Sequence, residues 1–151
     1  MNYEVNSKTL AIIPTTDSHC KVIEESRQYT LNKPSFKVIE HSCEYFGVSY
    51  RSRLEGSKKF TKTSYKIPII IEETSRIIFF PVSSPTRKNT LWLSYNNIFD
   101  YYPGNKRTNT IVKFKNGYRM DIPISYYSFN NQYLKASRLS SVLLDRISKK
   151  I

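Results

Sequence analysis

The chain has 151 residues, of which 39% are hydrophobic and 14% aromatic, and its 24 Lys and Arg against 12 Asp and Glu give a formal charge of +12. That length fits one domain, residues 1–151, able to bury roughly two-thirds of its unfolded surface without a disulfide or metal staple, and the aromatic content excludes a disordered chain. The charge calls for a polyanionic partner, while the longest apolar runs, Ile69 to Ile71 and Ile77 to Phe80, fall far short of the roughly 18 residues of a membrane span.

The charge is uneven. Residues 1–48 hold five Lys and Arg against six Asp and Glu, whereas 49–151 hold nineteen against six. The partner-facing surface is therefore expected from the later two-thirds, with DNA or RNA ahead of an acidic membrane or protein. Cys20 and Cys43 are the only cysteines and read as reduced, partly buried thiols of a cytoplasmic protein. The N-terminus, MNYEVNSKTLAIIPTT, lacks a basic stretch followed by a long apolar one, so no export signal is expected.

Short strands separated by polar turns are expected at Tyr3 to Val5, Thr9 to Ile13, Lys21 to Glu24 and Tyr29 to Leu31, closed by the Asn32-Lys33-Pro34 turn. From Ser35 the period changes. Phe36, Ile39, Cys43, Phe46, Tyr50 and Leu54 recur at helical spacing, which predicts one helix from about Ser35 to Glu55, with Ser35 capping its start and Gly56 beyond its end. Gly47 costs about 1 kcal/mol relative to Ala inside a helix and marks a candidate break near Phe46.

Lys58 to Glu72 reads as a strand with a basic first half, and Arg76 to Val82 as its antiparallel partner across the Glu73-Thr74-Ser75 turn. Pro68 assigns the first of these a kink, bulge or edge position. Ser83 to Asn89 is a loop carrying Arg87 and Lys88, Thr90 to Tyr95 a strand holding Trp92, and Tyr101 to Thr108 a second basic loop. Thr110 to Lys115 and Tyr118 to Ile124 flank Asn116-Gly117, a pair suited to a type I′ hairpin turn, with Ile111, Lys113 and Lys115 on one face. Ser125 can cap a final amphipathic helix on which Phe129, Tyr133, Ala136, Ser140, Leu143 and Ile147 recur, with Lys135, Arg138 and Lys149 on another face. Phe129, Tyr133, Leu143 and Ile147 have two destinations, the domain's own sheet or a dimer interface. The fold expected is α+β: a mostly antiparallel sheet, one helix after the N-terminal strands and a C-terminal helix.

Enzyme chemistry finds little material. His19-Cys20 and His41-Ser42-Cys43 miss the usual zinc spacings, Asp17, Asp100, Asp121 and Asp145 are scattered, and no phosphate-binding glycine loop or nucleophile elbow occurs. No metal or other cofactor is expected. Nucleic-acid binding is better supported. Ser42 to Lys66 sets Arg51, Arg53, Lys58, Lys59, Lys62 and Lys66 among aromatic residues, a pattern in which cations neutralise phosphates while rings stack or wedge. Arg87 and Lys88 add to it, with Lys106, Arg107, Lys113, Lys115 and Arg119 behind them. Taken singly, each is more often a solvated charge; the collective excess is what favours a polyanion. Arginines on loops or strands suit a narrow A·T-rich minor groove, where the negative potential is enhanced.

Several stretches in order carry a family resemblance: Tyr3-Glu4-Val5-Asn6; Asn32-Lys33-Pro34; Ser42-Cys43 with Tyr45-Phe46-Gly47; Ser49-Tyr50 with Arg53 and Gly56; Thr61-Lys62 with Lys66, Pro68 and Ile69. Ile77 with Phe80-Pro81, Ser83-Ser84 with Thr86-Arg87, Trp92 with Ser94, Phe114 with Asn116-Gly117 and Met120, and Pro123 to Ile147 continue the series. Together they resemble the competence transcription factors of the ComK type. The resemblance implies a bacterial activator of DNA-uptake genes that binds A/T-rich double-stranded boxes, largely through the minor groove, as a homodimer or higher oligomer. It also implies a nucleoid-associated protein with contacts to the transcription machinery and to an adaptor that delivers such activators to a protease. Arg53, Lys62, Lys66 and Arg87 match the family's basic positions, whereas Arg51, Lys58, Lys59 and Lys88 rest on charge alone. Two features depart from the pattern: Glu44 stands where a basic residue is expected, and other members continue with a charged tail beyond the position of Ile147. The alternative from another class is a nonspecific single-stranded nucleic-acid binder that uses its aromatics as stacking platforms.

Overall fold

The computed structural model describes residues 2–83 and 89–149. Strands β1 (Thr9–Thr16), β2 (His19–Glu24) and β3 (Gln28–Leu31) come first, followed by helices α1 (Ser35–Tyr45) and α2 (Tyr50–Thr61). Strands β4 (Ile69–Glu72), β5 (Ile77–Pro81), β6 (Trp92–Ser94), β7 (Ile98–Pro103), β8 (Thr110–Phe114) and β9 (Arg119–Ile122) lead into the long helix α3 (Tyr126–Ser148). The strands form two antiparallel sheets, one of six in the order β3-β2-β1-β6-β5-β4 and one of three in the order β7-β8-β9. The mixed α+β class, the helical region after the N-terminal strands and the C-terminal helix are as the sequence predicts.

Side chains alternate across a strand, so the six-stranded sheet has two faces, and both are apolar. Ile12, Val22, Ile69, Ile71, Phe79 and Trp92 pack with Val38, Ile39 and Cys43 of α1. On the other side Leu10, Ile78, Phe80 and Leu93 pack with Val112, Phe114 and Ile122 of the small sheet and with Phe129, Ala136, Leu139 and Leu143 of α3. Burial on both faces explains the unbroken runs Ile69 to Ile71 and Ile77 to Phe80.

The predicted single helix is two. Gly47, at φ +91°, is a left-handed residue just past the end of α1; its N–H reaches the Glu44 carbonyl at 2.9 Å, and that of Val48 reaches Cys43 at 3.2 Å. This pair of bonds stops a helix and satisfies its last carbonyls. Ser49 then caps α2 by accepting from the Ser52 N–H at 3.1 Å. Helical spacing persists across the break because Phe46, Tyr50 and Leu54 all pack on the same cluster as α1. Ser35 does not cap α1; its hydroxyl donates to the Thr90 carbonyl at 2.5 Å and its N–H to Asn89 Oδ1 at 2.9 Å, tying the helix to the residues that precede β6.

Three further local expectations are corrected. Lys58 to Thr61 belong to α2, and the left-handed residue after it is Lys62 (φ 54°), with Gly56 inside the helix. Tyr3 to Val5 form no ladder. Side chains pin them instead: the Tyr3 hydroxyl bonds Thr9 at 2.7 Å and also Glu24, and the Val5 N–H donates to Ser42 Oγ at 3.0 Å. The turn after β8 has three residues, 115–117, with positive φ at Gly117 alone (+93°), so it is a type I turn closed by a left-handed glycine and not type I′.

α2 packs against the edge strand β4 and touches α1 and α3. Covering an edge in this way removes a site for unwanted strand pairing.

Candidate nucleic-acid interface

The connection from α2 to β4 contains two lysines at positive φ, Lys62 (54°) and Lys66 (48°). Non-glycine residues occupy that region at a cost of about 1–2 kcal/mol each, so other contacts must hold them. Gln132, buried in α3, donates from Nε2 to the carbonyls of Lys66 and Pro81, each at 3.0 Å. Its Oε1 accepts from Lys135 Nζ at 3.0 Å, and Lys135 Nζ also donates to the Tyr65 carbonyl at 2.7 Å.

The result is a cationic cluster around one ring. Tyr65 is 59% exposed, and the ammonium groups of Lys66 and Lys135 lie 5.4 and 5.8 Å from its centroid. Both distances fall within cation–π range. Burial, and then the Lys66 charge, hold the Lys135 ammonium below the usual lysine range. A polyanion at this spot would relieve that repulsion.

Pro81 ends β5 beside this cluster, where the Val82 N–H donates to the Leu91 carbonyl at 2.9 Å and the Ser83 and Thr90 hydroxyls bond one another. The segment leading on from Ser83 carries Arg87 and Lys88, which lie outside the described residues.

The sequence candidates therefore separate. Lys62 is exposed at the end of α2 and Lys66 is half-buried at the cluster, while Arg51 and Lys59 are exposed on α2. Lys58 is drawn into a 3.6 Å ion pair with Glu55. Arg53 stands apart: its side chain is 11% exposed and pairs with Glu73 at 2.6 Å, at the opposite end of the β4–β5 hairpin from Lys66 and Pro81. Its Nη1 is thereby engaged by a carboxylate. On the small sheet Lys113 faces Arg119 across β8 and β9 and lies 5.6 Å from the Phe99 ring, but Asp100 on β7 is its partner on the other side and Asp121 lies on β9, so the sheet's charge is mixed. Lys106, Arg107 and Lys115 are exposed at its margins.

The four residues expected at either the core or a dimer interface have their contacts within the chain. Phe129 and Leu143 are buried in the core, and Tyr133 and Ile147 pack on it. Phe129 meets Phe80 at 5.8 Å and Tyr133 meets Tyr101 at 4.8 Å between ring centroids. The apolar side chains that α3 leaves most exposed are Tyr127, Leu134 and Leu144.

Burial pushes the Cys20 and Cys43 thiols up to about 11 and about 12, so neither is a ready nucleophile. Both imidazoles make hydrogen bonds, His41 Nε2 to Glu4 at 2.7 Å and His19 Nδ1 to Thr16 at 3.0 Å. Among the described residues, no group of three or more His, Cys, Asp or Glu could hold a metal ion, and no helix is long and apolar enough to cross a membrane.

Comparison with known proteins places the chain. Residues 1–148 match the family described as ComK protein, and the chain belongs to that family, a class of competence transcription regulators. A competence transcription factor of Bacillus subtilis (strain 168) is 34% identical over 153 residues, spanning 99% of this chain and 79% of that protein. Among solved structures, a LytTr DNA-binding domain from Bacillus cereus overlaps 85% of this chain and 82% of its own, at 18% identity and a TM-score of 0.43.

Proposed function

We propose that this protein activates competence genes by binding A/T-rich double-stranded DNA, largely through the minor groove, as a homodimer or higher oligomer. The observation that carries the reading is the exposed Tyr65 ring with the ammonium groups of Lys66 and Lys135 at 5.4 and 5.8 Å from its centroid, next to the strand end that leads on to Arg87. In this reading Lys62, Lys66 and Lys135 neutralise phosphates, and Arg51, Lys59 and Lys88 extend the basic surface. Arg87 enters the minor groove, where A·T tracts concentrate negative potential. Arg53 is left to its ion pair with Glu73. The exposed Tyr127, Leu134 and Leu144 on α3 are the contacts offered to a second copy. The protein then acts as one DNA-binding domain in the cytoplasm, at the nucleoid.

Arg87→Ala tests the readout. Binding to an A/T box weakens and its advantage over a G/C-rich duplex shrinks; an unchanged preference removes Arg87 from the groove. The exposure of Tyr65 also favours a second reading, stacking on single strands. Competition between an A/T-rich duplex and a single strand at fixed salt separates the two.

A further inference from the structure

Between α2, β4 and the last turns of α3 lies a pocket of about 410 Å³, unconnected with the cluster around Tyr65. Leu143 is eight residues beyond Lys135, about 12 Å along the helix at 1.5 Å per residue. Phe60, Ile70, Leu143 and Ile147 supply apolar lining. Arg53 and Arg146 supply two guanidinium groups, and that of Arg146 lies 4.8 Å from the Phe60 ring.

Two donors in this wall are idle. Arg53 Nε and Ser57 Oγ are buried and have no hydrogen-bond partner among the described residues. Neither atom presents surface to the pocket, so the cation open to an anion there is Arg146, exposed on the last turns of α3. Arg53 Nη1 is engaged by Glu73, whose side chain stands half in solvent, and both residues line the pocket. Arg146 makes no ion pair among the described residues.

We infer that this pocket binds an acidic, apolar segment of a partner protein, a carboxylate side chain taken by Arg146 at the rim while a neighbouring large apolar side chain fills the space between Phe60, Ile70, Leu143 and Ile147. Charge complementarity selects the occupant: a chain of charge +12 with two arginines at an apolar hollow favours an anion that carries its own hydrophobic surface. The volume suits roughly one or two side chains, and the pocket opens at the surface between exposed α2 and α3 residues. An occupant anchored there continues over the protein, as a peptide does. The inference does not depend on the DNA-binding reading.

Methyl NMR on the full chain tests it with three blocked hexapeptides, identical except at the central pair: Phe-Glu, Phe-Gln and Ala-Glu. The Phe-Glu peptide is expected to shift the Ile70, Leu143 and Ile147 methyls saturably, and the other two to bind at least fivefold more weakly. Arg146→Gln, with its methyl spectrum otherwise intact, should abolish the preference for Glu over Gln. Shifts that fail to saturate, that map away from these methyls, or that are equal for Phe-Glu and Phe-Gln overturn the proposal. Equal or tighter binding of free 4-phenylbutyrate overturns the peptide assignment in favour of a small carboxylate.

Discussion

The Gln132 side-chain amide donates to the carbonyl of Lys66 at 3.0 Å, holding a lysine in the left-handed region and joining three parts of the fold: α3, the connection into β4, and the end of β5 at Pro81. Gln132→Leu keeps the approximate volume and removes both donors. Two carbonyls then lose their partner, at about 1–3 kcal/mol each where no water replaces it. Urea denaturation should show a lower midpoint with an unchanged slope. A wild-type midpoint would mean that the clamp does not hold this end of the molecule.

Lys135 should titrate below ordinary lysines, because burial and then Lys66 disfavour its charged form. The unfolded chain binds the proton more tightly, so this group's penalty on folding is fully present below its folded value and disappears as pH rises through that value to the ordinary lysine one. Lysine-selective NMR titration measures it. Lys66→Gln should raise the Lys135 value only part of the way, since burial remains, and bound duplex should raise it as well.

The two glycines of the α1–α2 region should respond with opposite signs. Gly47→Ala places a Cβ at φ +91° and should destabilise by about 1 kcal/mol. Gly56 lies inside α2, where an added Cβ would meet nothing within 4 Å, so Gly56→Ala should stabilise by about 0.5–1 kcal/mol. Thermal unfolding separates them, at about 2–4 °C per kcal/mol for a chain of this size.

Short apolar runs bounded by turn residues make β1, β2, β3 and the β4–β5 hairpin legible, and alternation about Asn116-Gly117 does the same for β8 and β9, because both are local signals. The α1–α2 break is harder to read: the cost of Gly47 within a helix is visible in the sequence, but its use as a left-handed stop is not. Ser49 supplies a cap at a point where the helical pattern of Phe46, Tyr50 and Leu54 continues without interruption. Nothing in the residue type marks Lys62 or Lys66 as left-handed, and so the sequence places the end of α2 too early and Lys58 in a strand. The charge excess points to Lys62 and Lys66, and helical spacing sets Lys135 on a basic face of the last helix. Its meeting with Tyr65, seventy residues away, follows from tertiary packing and has no local signal. The same holds for the pairing of Arg53 with Glu73.

The central claim is that the Lys62–Lys66–Lys135 end of the molecule grips duplex DNA, and a salt titration of affinity tests it most directly. For the Lys62→Gln, Lys66→Gln double variant on an A/T-rich duplex, the slope of log K against log salt should become shallower by roughly 1.8, from about 0.9 per lost phosphate contact. The unaltered chain should prefer that duplex over both a G/C-rich one and a single strand. An unchanged slope in the double variant, or a single strand that outcompetes the duplex, would contradict the claim.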